Sequence, residues 1–149
     1  MLEELVYSAA QRALDQQSTS LSDLRTRTST LVAAATLSAS FLGAAAISRS
    51  APAWAAVLAM AAFLLTGAFA GAVLWPARVS FAVDIDRMHD ELAPYRGDSE
   101  VYLLEAAHGL RNVYLKNETS IERRELVFRL ALLALGAETL LWALALALT

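Results

Sequence analysis

Residues 53–75 read AWAAVLAMAAFLLTGAFAGAVLW, a stretch without Lys, Arg, Asp or Glu in which Thr66 is the only hydroxyl. Crossing the hydrocarbon core of a bilayer takes about 20 consecutive apolar residues in a helix, and this run meets that requirement. Two further apolar windows flank it, 29–47 on its N-terminal side and 127–148, which holds Arg129 and Glu138, near the C-terminus. Three transmembrane helices are therefore predicted.

Composition agrees with that reading. The chain is 57% hydrophobic and 18% charged, with a mean hydropathy of +0.46, too apolar for an ordinary soluble domain of this size. It has no cysteine, which removes disulfides, thiolate metal sites and cysteine catalysis together. The polar segment ahead of 29–47 carries Glu3, Glu4, Arg12, Asp15, Asp23, Arg25 and Arg27, unlike the short basic start of a cleavable signal peptide, so the N-terminus is expected to be retained.

Residues 48–52 are short enough to make spans 29–47 and 53–75 antiparallel neighbours, with Pro52 opening the second helix and Pro76 stopping it. Trp54, Trp75 and Trp142 fall near span ends, where interfacial anchors are expected. Retained basic residues bias flanking loops to the cytoplasm. Arg25, Arg27, Arg78, Arg123, Arg124 and Arg129 lie on one side against Arg49 on the other. This predicts a multi-pass protein of the inner (plasma) membrane with its N-terminus and residues 76–126 cytoplasmic and Thr149 outside.

The extramembrane parts also carry helical patterns. In 2–28, Leu2, Val6, Ala9, Ala13, Leu14, Leu21 and Leu24 follow an approximate three-four spacing that suits an amphipathic helix continuing into the first span. Gln16, Gln17, Ser18, Thr19 and Ser20 interrupt that pattern and mark a place for a kink. In the connector 76–98, Val79, Phe81, Val83 and Ile85 alternate as an extended segment would, before a helical turn from Arg87 to Leu92 closed by Pro94 and Gly97. Asp98 or Ser99 then caps a helix with Glu100 in its first turn. Leu103, Ala107, Leu110, Tyr114, Asn117 and Ile121 give 99–126 heptad-like spacing with one polar member. The helix is expected to run unbroken to the C-terminus, roughly 75 Å at 1.5 Å per residue. Its cytoplasmic half and residues 2–28, about 40 Å each, are expected to pack as a parallel stalk, in an all-α, single-domain membrane protein spanning 1–149.

Glu138 is the ionisable residue placed deep inside a span. A carboxylate at the bilayer centre costs on the order of 2.5–3.5 kcal/mol and normally faces a partner, a cavity or a pore. It either lines a conduit or an oligomer axis, or is a protonated group bonded to Ser38, Ser40 or Thr66 across helices. Ala35, Ala39 and Gly43 in the first span, and Gly67 and Gly71 in the second, form small-residue faces that allow close helix approach, expected first within the hairpin. Arg25, Arg27, Arg123, Arg124 and Arg129 are expected to ring the inner membrane face, anchoring to anionic headgroups at about 1 kcal/mol each in preference to forming a site for a ligand phosphate. Asn117 is read as specifying helix register. Asp84, Asp86, His89, Asp90 and Glu91 surround an imidazole with carboxylates, but a solvated acidic turn explains them without a metal. His108 is expected to be exposed.

The sequence holds no Walker loop, GxGxxG, HExxH or GxSxG. No enzyme, cofactor or nucleic-acid partner is expected. Residues 21–35, LSDLRTRTSTLVAAA, continuing to SFLG at 40–43, look like the stalk-to-membrane junction of small bacterial membrane proteins. The layout of helix, tight two-span hairpin and long cytoplasmic helix is similar to the SLATT-type two-transmembrane effectors of bacterial conflict systems, to which this chain adds a third span. That resemblance implies a homo-oligomeric, membrane-permeabilising antiphage effector that answers a nucleotide signal or a cytoplasmic sensor protein. The alternative is a non-conducting anchor or scaffold whose stalk docks a partner.

Overall fold

The computed structural model describes residues 2–76 and 99–149. Three helices account for almost all of them: α1 (Leu2–Ser48), α2 (Ala53–Leu74) and α3 (Ser99–Ala147). Each is long and apolar enough to cross a membrane. The protein is thus all-α, as the hydropathy pattern predicts. The extended segment, the helical turn after it and the acidic cluster around His89 lie outside the described residues.

Helix α1 runs without a break through Gln16–Ser20, the place marked for a kink. The three hydroxyls there are accommodated within the helix, because each bonds back to the turn before it. Ser18 and Thr19 donate to the Asp15 carbonyl and Ser20 to that of Gln16. Such back-bonding satisfies the polar side chain without removing the backbone ladder. Buried Thr28 and Thr66 do the same toward Leu24 and Ala62.

The chain divides into two compact units, and both α1 and α3 contribute to each. In the first unit α1 up to Ser22 buries Leu14, Gln17 and Leu21, and α3 up to Glu122 buries Ala106, Ala107, Leu110, Asn117 and Ile121. The Gln17 amide donates to the Tyr114 carbonyl at 3.1 Å. Asn117 is 5% exposed, in keeping with the core position assigned to it.

The second unit contains the apolar spans. Here α1 buries Leu24, Thr28, Leu31, Ala35 and Ala46, α2 buries Ala55, Ala59, Ala62, Thr66, Ala70 and Val73, and α3 buries Ala131, Glu138, Trp142 and Ala145. Steps of three and four recur along every stripe, which is the seam of left-handed coiled-coil packing. Within it the Trp142 side chain clusters with Ala46, Ala55, Ala59 and Ala145. A Cβ added to Gly43 would lie 3.3 Å from that ring. Trp142 is therefore a core residue, 2% exposed, and the anchor role expected for it is corrected. Its indole fills the hole that glycine and alanines leave in two facing helices. Trp54 and Trp75 are exposed, as interfacial residues would be.

The α1–α2 turn is a complete helix C-terminal motif. Ser50 takes the left-handed conformation at φ 57°, Ala51 N–H donates to the Ala46 carbonyl and Ser50 N–H to that of Ile47. These are the two hydrogen bonds of the Schellman arrangement, and Ala51 packs back on the cluster holding Ala46. Pro52 then serves as the N-cap of α2, and its carbonyl receives Ala55 and Ala56 N–H.

Replacing Gly43 with valine is expected to overpack the Trp142 contact and lower stability by about 1–3 kcal/mol. Gly67, with nothing within 4 Å of an added Cβ, should tolerate the same change in the monomer. Thermal unfolding of both variants in detergent checks the contrast; equal midpoints would contradict this packing.

Candidate functional site

Two polar sites stand out in the second unit, and both are made by residues on α3. The first surrounds Glu138, which lies one turn before Trp142 on the buried stripe. Glu138 is 0% exposed, and neither of its carboxyl oxygens has a hydrogen-bond partner. With Gly43 against Trp142, and α1 and α3 running in the same sense through this unit, Ser38 and Ala39 come level with Glu138 on α1. The Ser38 Oγ and the Trp142 Nε1 are likewise buried without a partner.

The hydrogen bonds expected between Glu138 and Ser38, Ser40 or Thr66 are therefore not formed. The Thr66 hydroxyl spends its donor on Ala62, and Ser40 is exposed. What the fold supplies is a closed polar locus inside an alanine-rich seam. A carboxyl group there costs stability, because an unsatisfied buried polar group forfeits about 1–3 kcal/mol. In protonated form it has one donor and spare acceptor capacity, with the Ser38 and Trp142 donors on the adjoining positions.

The small-residue faces separate into two kinds. Ala35 and Gly43 are buried and Ala39 half-buried, so the first span uses its face within the chain. Gly67 and Gly71 do not: both are exposed, and the buried stripe of α2 passes through Thr66 and Ala70 instead. The expectation that they pack the hairpin is corrected. The α2 stripe that meets the other helices is mostly alanine, which already allows close approach, and the glycines lie outside it.

The second site is at the C-terminal end of α2. The last carbonyls of a helix have no intrahelical donor and carry its partial negative charge. Arg124 supplies the missing donors: Nη1 lies 2.6 Å from the Val73 oxygen and Nη2 2.8 Å from the Trp75 oxygen. Trp75 N–H completes the end by donating to Gly71. Arg124 thus ties α3 to the end of the preceding span, which runs opposite to it. Burial, and next the positive charge of Arg25, push the Arg124 guanidinium below its ordinary pKa. The other arginines of the expected ring are differently placed. Arg27 pairs with Asp23 and Arg129 with Glu125 on their own helices, all exposed, and Arg123 is exposed as well.

Sequence reasoning missed Gln17 and the capping role of Arg124, although a signal for each was present. Gln17 continues the three-four stripe of Leu14, Leu21 and Leu24, and Arg124 continues that of Ile121 and Ala131. Among the described residues no group of three His, Asp or Glu side chains could hold a metal. His108 is exposed. No protein-family model, curated protein or solved structure matches this chain.

Two substitutions measured by unfolding in detergent test the two sites separately. Arg124→Gln should lower stability by about 1–2 kcal/mol through loss of a charged helix cap. Glu138→Leu should raise it by about 1–3 kcal/mol, since a similar volume is kept and the unpartnered oxygens are removed. Destabilisation by Glu138→Leu would mean that the carboxyl group has a partner in the native protein.

Proposed function

We propose that this chain is a small membrane effector that oligomerises and permeabilises the inner membrane, in the manner implied by its resemblance to SLATT-type antiphage proteins. The observation that carries this reading is the Glu138 carboxyl group, wholly buried and without a hydrogen bond in a helix suited to crossing lipid. A bundle that served only as an anchor would be more stable with leucine at that position. Three helices in one chain enclose no water-filled channel, so conduction needs several copies. The outward Gly67 and Gly71 give α2 a face suited to close approach by another helix.

On this reading the described arrangement is the closed state, with Glu138, Ser38 and Thr66 turned inward. Assembly repacks the spans so that these groups line a conduit. The N-terminal part of α1 and the first half of α3, which meet at Gln17 and Tyr114, form a parallel cytoplasmic stalk. That stalk is the two-state element through which a nucleotide signal or sensor protein biases the spans.

A second reading, the non-conducting scaffold, is favoured by Leu5, Val6, Leu104 and Leu115. These large apolar side chains are exposed on the extramembrane part, where a docked partner would cover them.

Flux from liposomes separates the two. Reconstituted wild-type protein should release entrapped ions, and Glu138→Gln should change the rate at least several-fold at equal incorporation. Tight vesicles despite confirmed insertion and assembly of the wild type would favour the scaffold. Equal flux from both proteins would remove Glu138 from the conduit.

A further inference from the structure

Arg25 and Arg124 have a relationship that diffuse headgroup attraction does not capture. Arg25 precedes Gly43 by the same number of residues as Arg124 precedes Trp142, and that number is a whole number of α-helical turns. Because Gly43 abuts Trp142 and the helices run in the same sense, the two arginines come level on facing sides of α1 and α3. Both are half-buried. Two guanidinium groups so placed repel each other unless an anion neutralises them.

The described residues supply no such anion. Arg27 and Arg129, close by in sequence, each have a carboxylate on their own helix, whereas Arg25 and Arg124 have none. Arg124 is turned to the α2 carbonyls, whose partial charge amounts to about half an electron. A guanidinium has five N–H donors, so three on Arg124 remain after Val73 and Trp75 are served. On Arg25 the Nε–H is buried and has no acceptor.

The level of the pair in the bilayer limits what the acceptor is. From Arg25 to Arg49, at the far end of the hairpin, α1 rises roughly 36 Å at 1.5 Å per residue. The hydrocarbon core is about 30 Å thick and the bilayer with headgroups about 40–45 Å, so Arg25 and Arg124 stand where lipid phosphates lie. Planar, forked donors that stay charged at any physiological pH match a phosphate oxygen pair better than a point charge would.

We propose that Arg25 and Arg124 form a binding site for one phosphate group at the membrane boundary, bridging α1 and α3 beside the end of α2. The ligand is a phosphate ester of a lipid headgroup or a free phosphate ion, which share the recognised chemistry. The site is independent of whether the spans conduct. By neutralising the pair it locks the three helices at this end, and its loss loosens them together.

The test uses the full-length chain, purified in detergent and delipidated, with adducts and dissociation read by native mass spectrometry and stability by thermal unfolding. One arm adds phosphatidylglycerol against a phosphate-free diacylglycerol glycolipid. The other adds inorganic phosphate against chloride at matched ionic strength. Wild-type protein should bind and be stabilised by phosphatidylglycerol, by phosphate, or by both, over the controls, and the responding arm identifies the source. Arg25→Gln should weaken that binding on the order of tenfold, while Arg27→Gln, which touches an existing ion pair, leaves it unchanged. No preference over the controls in either arm overturns the proposal, as does undiminished binding by Arg25→Gln. If Arg25→Gln does not fold, the wild-type comparison still decides, and Arg25→Lys, which keeps the charge and loses the fork, should bind more weakly than wild type.

Discussion

Hydrocarbon offers no partner for a polar group, and three helices apolar enough to cross it must meet that condition by packing on one another. Backbone N–H and C=O groups must close on one another, which makes each crossing segment a helix. Lipid is as apolar as leucine, so the helices gain little by hiding leucine from it and associate through dispersion at short range instead. The buried stripes accordingly consist mainly of alanine, and the large apolar side chains of α2, such as Leu58, Leu64 and Leu65, face outward.

Trp142 and Arg124 show how this seam is anchored at its two ends. At one end a large ring occupies the space opposite Gly43, Ala46, Ala55 and Ala59, giving the three spans a single well-filled contact. At the other a guanidinium closes the carbonyl end of α2, whose unsatisfied groups would otherwise meet lipid or headgroups. Between them Glu138 breaks the apolar rule. Its carboxyl group opposes the packing that surrounds it, which is why a functional reading centres there and not on the tryptophan or the arginine.

Much of this was legible before any coordinates. The number of long apolar helices, the tight hairpin at 48–52, the unbroken α3 and the buried position of Asn117 all follow from hydropathy, proline placement and heptad spacing. The candidate site was legible in part: Glu138 announced itself as a carboxylate within an apolar window, and Ala35 and Gly43 as packing residues. The partners were harder to read. Hydroxyls at Ser38, Ser40 and Thr66 looked equivalent as partners for Glu138, yet the Thr66 O–H donates within its own helix and Ser40 faces out.

The amino-acid order alone determined which segments are helical and apolar enough to leave water, because length and hydropathy are additive along the chain. Only the tertiary structure decided which side of each helix turns inward. That rotation placed Trp142 in the core, put Gly67 and Gly71 outside it, and turned Arg124 onto the last carbonyls of α2. A window of apolar residues looks nearly the same from every direction. The choice among its faces is made by the close fit of one helix on another, and a one-dimensional pattern does not contain that information.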